Sequence, residues 1–350
     1  MLNRDTIYEI SKYLTRQELF LFLNLCRELK QFEQVFFDKY FVCQPDEISF
    51  YPKARKLKIM DDLTDYMHLL NCSDMRFKKG YHAYIDNLPL CLQRLELAGQ
   101  INLNIDINKM PDKVGILILS EYFNQFVIKW PERLRTLVIG KYYNHPLINL
   151  PMTLNKLILN GRFNHPLDDL PCRLTHLTLS RDFNYPIDYL PKDLIFLRAG
   201  RNFDQSIDNL PAGLRYLYLG NSFNRPLDKL PRFLSSLRLN GRLEYPIDNL
   251  PETIKCLILP DILNITAVNK WPSELRELRL GPDYIQYLKY LPDGLRILTV
   301  PFLSQLIVNH IKPSLRIIVT KPIIGSQSHT RFVSAILTKN PTIYIDYSFQ

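Results

Sequence analysis

Glycine is scarce in this chain, 12 of 350 residues, which argues against the closely spaced glycines that phosphate-cradling loops require. No Gly-x-Ser-x-Gly, Walker-type or His-Glu-x-x-His segment occurs, so the usual routes to hydrolysis and nucleotide chemistry have no sequence footing. The six cysteines, Cys26, Cys43, Cys72, Cys91, Cys172 and Cys256, form neither a metal-type pair nor a disulfide framework. They read as reduced thiols of a cytoplasmic, reducing compartment. No apolar run approaches the ~20 residues that span a bilayer, and the start lacks a basic-then-apolar leader. These absences predict a chain with no cofactor, no metal and no catalytic role, away from membranes.

Proline is plentiful by contrast, 24 residues, and it is periodic. Pro131, Pro151, Pro171, Pro191, Pro211, Pro231 and Pro251 fall twenty residues apart. With small slips the series extends to Pro89 and Pro111 and to Pro272, Pro292 and Pro313, about twelve units. Apolar positions share the period. Tyr143, Phe163, Phe183, Phe203 and Phe223 form an aromatic column, and Leu134 to Leu234 and Leu137 to Leu257 form two leucine columns. One twenty-residue coil cannot bury such residues alone, so stacked coils must turn each column into a ladder.

The Leu-x-Leu tail of each unit has period two, which predicts a short strand with both leucines inward. Stacked in parallel, these strands make one sheet. The other half of the unit holds two prolines, as at Pro166 and Pro171, which removes backbone donors and predicts turns there rather than helix.

The unit Phe-Asn-x-Pro-[Leu/Ile]-Asp-x-Leu-Pro-x-x-Leu-x-x-Leu-x-Leu resembles the FNIP repeat, a short relative of the leucine-rich repeat. The likeness runs from Tyr122 to Leu259. Upstream, Leu57-Lys58-Ile59, Met75-Arg76-Phe77 and Leu95-Glu96-Leu97 read as degenerate strands. Downstream, Leu278-Arg279-Leu280, Leu298-Thr299-Val300 and Ile317-Ile318-Val319 continue the ladder. A capping helix at 331–339 and a last strand at 342–347 are expected to close it.

The N-terminal stretch differs in kind. Ile7, Ile10 and Leu14, then Leu19, Phe22, Leu23 and Cys26, recur at three and four, a pattern of amphipathic helices. Thr15-Arg16-Gln17-Glu18 has the form of a capping box. The segment resembles an F-box: Leu2, Ile10, Leu14, Leu19 and Cys26 fall on its positions, while Asn3 and Thr15 replace prolines and Leu29 replaces tryptophan. This resemblance implies binding to a Skp-type adaptor through Leu2, Ile10, Leu14, Leu19, Phe22 and Cys26. It further implies a cullin ligase core, with the repeats selecting the protein to be ubiquitinated. The other reading is a scaffold whose N-terminal helices only cap the solenoid.

The expected fold class is therefore α+β: a helical F-box-like domain over 1–45, degenerate capping repeats over 46–80, an FNIP-repeat solenoid over 81–320 and a C-terminal cap over 321–350.

Charge is uneven. Residues 1–50 carry a net −2, leaving +11 to the remainder of a chain whose total is +9. No Lys/Arg run or regular basic column accompanies it, so a solvated surface is expected rather than a nucleic-acid site. The Asp168, Asp188, Asp208, Asp228 and Asp248 ladder is expected to cap its own turns. The Asn144, Asn164, Asn184 and Asn224 ladder is expected to bond backbone between coils. His145 and His165 read as turn residues.

Function is expected on the outward positions of the strands, because these vary where the scaffold does not. They run through Lys156, His176, Phe196, Arg198, Tyr216, Tyr218 and Arg238, an aromatic and arginine-rich strip of the composition found at interface hot spots with a protein target.

Overall fold

A computed structural model describes residues 41–43, 56–59, 73–77, 88–97, 106–260, 262–263, 270–281, 291–301, 315–319 and 344–347. The chain divides into two compact units, Met1–Leu154 and Asn155–Gln350. Each is a parallel β-solenoid.

In the first unit the strands follow chain order: β1 (Phe41–Cys43), β2 (Lys56–Ile59), β3 (Asp74–Phe77), β4 (Arg94–Leu97), β5 (Ile116–Ile118) and β6 (Thr136–Val138). Neighbours pair in parallel register, for example Met75 with Leu95 and Leu117 with Leu137. The second unit repeats the scheme with β7 (Lys156–Ile158), β8 (His176–Thr178), β9 (Phe196–Arg198), β10 (Tyr216–Leu219) and β11 (Ser236–Leu239). Its ladder then skips β12 (Arg242–Leu243) to reach β13 (Cys256–Ile258), and skips β14 (Ile262–Leu263) to reach β15 (Glu277–Arg279). It continues through β16 (Ile297–Val300) and β17 (Arg316–Val319) to β18 (Tyr344–Tyr347). The skipped strands β12 and β14 pair with each other in a second, short parallel ladder.

Among the described residues there is no α-helix, only one 3-10 turn at Ile107–Lys109. The α+β expectation is therefore overturned: the fold is a parallel β-solenoid. Phe41–Cys43, placed at the end of the helical domain by sequence, instead pairs as a strand, Phe41 opposite Leu57. The rest of the expected F-box-like segment, 1–40, and the capping helix at 331–339 lie outside the described residues. Among the described residues, too, no helix is long and apolar enough to cross a membrane.

Each coil is closed by the same devices. The amide of the leucine or isoleucine three residues after the Leu-Pro step donates to the proline carbonyl, as in Leu174 to Pro171 at 3.0 Å and Leu214 to Pro211 at 3.0 Å. Proline suits this place because it fixes φ and its missing N–H is not needed there. The strand that follows hangs on the previous coil: the amides of Ile195 and Phe196 both donate to the Thr175 carbonyl. Leu137, Leu157, Leu177, Leu197, Leu217 and Leu237 are all fully buried. Burial of such a side chain contributes about 1.5–3 kcal/mol, which offsets the ordering of a coil that has no core of its own. The aromatic column stacks in the same way, with Phe163 and Phe183 rings 6.5 Å apart at 3° and Phe203 and Phe223 6.4 Å apart at 4°. Tyr143 is buried in that column, and burial pushes its phenol well above the ordinary value.

The asparagine ladder bonds between coils as its position suggested. Asn164 Oδ1 accepts from the Asn184 amide at 3.0 Å, and Asn184 Oδ1 from the Asp204 amide at 2.9 Å. Asp204 and Asn224 continue it to Glu244. The aspartate ladder departs from the expectation. Asp188, Asp208 and Asp228 accept not from their own turns but from Asn209, Lys229 and Asn249 one coil on. His145 Nε2 meets the Asn124 carbonyl at 3.0 Å, a turn role.

Candidate strand-face interface

Alternation along each strand sends one side chain inward and its neighbours out. On β7 to β11 the outward side chains include Lys156, His176, Phe196, Arg198, Tyr216, Tyr218 and Arg238, so the residues singled out by sequence share one face of the second unit. Lys156, His176, Arg198 and Arg238 are exposed, Tyr216 is 41% exposed, and Phe196 and Tyr218 are half-buried. Register places Phe196 between His176 and Tyr216, and Tyr218 between Arg198 and Arg238. The expected adaptor-binding residues Leu2, Ile10, Leu14, Leu19, Phe22 and Cys26 lie outside the described residues.

The aromatic members hold one another. His176 and Phe196 stack at 5.8 Å and 22°, and Tyr218 meets Phe196 edge-on at 5.3 Å and 80°. Each such pair adds about 0.5–1.5 kcal/mol beyond area burial and fixes the rings relative to one another. The strip has a boundary at Ser236. By alternation it should face out, yet it is buried between its register partners Tyr216 and Cys256. Burial, with the Glu277 carboxylate nearby, pushes the Cys256 thiol up and keeps it protonated.

The interface expected from the sequence lies on the strands alone. In the structure, residues of the turns that follow them lie beside it. An open groove of about 420 Å³ runs across five successive coils, bringing Arg181 and Arg201 of the turns beside Arg198 and Arg238 of the strands. Its floor includes Gly200 and Gly220, where a Cβ would collide with the backbone carbonyls of Ser180 and Gly200 one coil before. The signal for this stripe was the column Asn160, Ser180, Gly200, Gly220 and Asn240, small or polar at every step.

Comparison with known proteins agrees with this architecture. The FNIP Repeat family model matches residues 163–202, two consecutive coils of the second unit. Among solved structures the chain is similar to CroV588, described as a novel circular LRR protein structure, with a TM-score of 0.60 and 22% identity over 85% of this chain and 50% of that one. It is also similar to YopM from Yersinia enterocolitica WA-314, with a TM-score of 0.48 and 21% identity over 81% of this chain and 58% of the other. The chain thus spans about half the length of CroV588. No curated protein matches the sequence. The fold is a leucine-rich-repeat-like solenoid, and residues 163–202 match the FNIP Repeat.

Proposed function

We propose that the chain is a protein–protein interaction scaffold that takes its partner on the strand face of the second unit and catalyses nothing itself. The observation that carries this reading is the preorganised strip of Phe196, Arg198, Tyr216, Tyr218 and Arg238, aromatic and arginine side chains held in register on a rigid sheet. Rigid aromatic anchors lose little conformational freedom on binding, which is why they dominate interface energetics. The test is site-specific photo-crosslinking in cells, with a benzophenone amino acid at Tyr216 on the strip or at Tyr189, an exposed tyrosine of a turn. A discrete protein adduct at 216 and none at 189 is expected; equal adducts, or none at either, would remove the strip from consideration.

The finer role we propose is substrate recognition in an SCF-type ubiquitin ligase in the cytoplasm. Support for it is the spacing of Leu2, Ile10, Leu14, Leu19 and Cys26, with a Skp-type adaptor and cullin core as the implied partners. Purified adaptor should bind the full chain and lose binding on Leu14→Asp or Leu19→Asp. Failure of the unaltered chain to bind leaves a scaffold without a ubiquitin role.

A further inference from the structure

The groove along the edge of the strand face concentrates four arginines, Arg181, Arg198, Arg201 and Arg238, and none of its lining residues is an aspartate or glutamate. Clefts lined by one sign of charge focus potential and raise the local concentration of the opposite sign. At other outward strand positions arginines are paired with carboxylates. Arg279 is paired with Glu277 on β15, and Arg76 and Arg94 share Glu96 in the first unit. In the groove, Arg238 Nε instead donates to the amide oxygen of Asn240 at 3.2 Å, which orients the guanidinium, and among the described residues no carboxylate forms an ion pair with it.

We propose that this groove binds an extended acidic segment of the partner protein, which deepens, and rests on, the interface reading above. The spacing fits. Coils stack at about 4.8 Å, so Arg198 and Arg238, two strands apart across Tyr218, stand roughly 10 Å apart. An extended peptide advances about 3.3 Å per residue, so carboxylates at positions i and i+3 match the two guanidiniums. The five coils of the groove span about 19 Å, the length of some six extended residues. Arginine offers such carboxylates a two-pronged donor that lysine cannot.

Nucleic acid fits less well. Single strands are held by a continuous basic track and by open aromatic faces. Here the basic track stops after β11, whose neighbour β13 presents Cys256 and Ile258, and the His176 and Phe196 faces already cover one another.

The full-length protein is titrated against a fluorescein-labelled octaglutamate peptide, by anisotropy, at two salt concentrations. An oligothymidylate of fifteen nucleotides and a serine-glycine peptide serve as comparison probes. We expect octaglutamate to bind, and the double variant Arg198→Glu/Arg238→Glu to weaken it by about thirtyfold or more. The charge-matched control Lys113→Glu/Lys129→Glu, on exposed residues of the first unit, is expected to change affinity less than about threefold. Arg198→Lys/Arg238→Lys should fall between, since charge is kept and the fork is lost. Unchanged thermal unfolding shows that these exposed variants still fold. Absence of octaglutamate binding, equal loss in the control, or oligothymidylate binding more tightly with the same dependence on Arg198 and Arg238 would each overturn the proposal. If crosslinks at Tyr216 persist in those cases, only the groove assignment has failed; if they vanish as well, the interface reading has failed with it.

Discussion

The two units treat arginine in opposite ways on their strands. On β3 and β4 the outward positions are Asp74, Arg76, Arg94 and Glu96, and register sets each cation opposite an anion. Arg76 Nη2 lies 2.7 Å from Glu96, Arg94 Nη2 lies 3.1 Å from it, and Arg94 Nε reaches Asp74 at 3.6 Å. On β9 to β11 the same positions hold Phe196, Arg198, Tyr216, Tyr218, Ser236 and Arg238, with no carboxylate. The scaffold beneath is alike in both: Met75, Leu95, Leu197, Leu217 and Leu237 are all fully buried. Surface chemistry therefore varies independently of the core. The first face satisfies its charges internally, whereas among the described residues the arginines of the second form no ion pair, which is what the proposed acidic partner requires.

The sharpest check on the claim of a common scaffold is to damage both cores alike. Leu95→Ala and Leu217→Ala should each cost about 2–5 kcal/mol, because each removes a fully buried side chain from an uninterrupted ladder. Hydrogen exchange measured by mass spectrometry should show faster exchange in the flanking strands to a similar degree in both variants. A much smaller loss at one site would mean that the two cores are not equivalent. Gly220→Ala should come next, at roughly 1–3 kcal/mol, since the added methyl meets the Gly200 carbonyl and forces the coils apart. Faster exchange should then be centred on β9 to β11, and octaglutamate binding should fall with it.

Smaller effects discriminate between the faces. Glu96→Gln removes the carboxylate that Arg76 and Arg94 share and is expected to cost about 0.5–1 kcal/mol in urea unfolding, less at high salt. Arg198→Glu, which breaks no ion pair described on β9, should stay within about 0.5 kcal/mol of the unaltered chain. A reversed order would end the contrast.

The smallest effect is one of pH. Hydrogen bonding by Lys270, and then by the Ser273 amide, holds the Glu252 carboxyl at about 2, below its usual 4.5. A depressed folded-state value adds stability that is present above 4.5 and is lost as pH falls toward 2. The group is largely exposed, so the gain is modest. Melting temperatures of Glu252→Gln and the unaltered chain should differ slightly at neutral pH and converge near pH 2.

Most of the scaffold was legible because its causes are local and repeated. The Leu-x-Leu tails mark β5 to β11, and the degenerate tails at Leu57, Met75, Leu95, Leu278, Leu298 and Ile317 all lie in or overlap strands. The strand Tyr344–Tyr347 falls inside the stretch expected at 342–347. What escaped lacked that signature. Phe41-Val42-Cys43 has no leucine pattern, yet it finds an open ladder edge at β2, and tertiary pairing overrides local preference. The pair β12 and β14 arises where Leu243 and Leu263 take the place of the column's phenylalanine. The groove was missed because period two describes strands alone. Arg181 and Arg201 sit in turns, and only stacking brings them beside Arg198. The aspartate ladder was misassigned for a related reason: a partner twenty-one residues away is invisible to rules about single turns.

The asparagine ladder carries a consequence for how such a chain changes over generations. Asn164, Asn184, Asp204 and Asn224 each accept from the amide twenty residues on, so every bond joins like to like in adjacent coils. Excising or duplicating twenty codons, or a multiple of twenty, within this column therefore rejoins an acceptor to an equivalent amide, while other lengths break the bond at the junction. Gain or loss of a whole coil thus alters the length of the strand face while the bond types that back it stay the same.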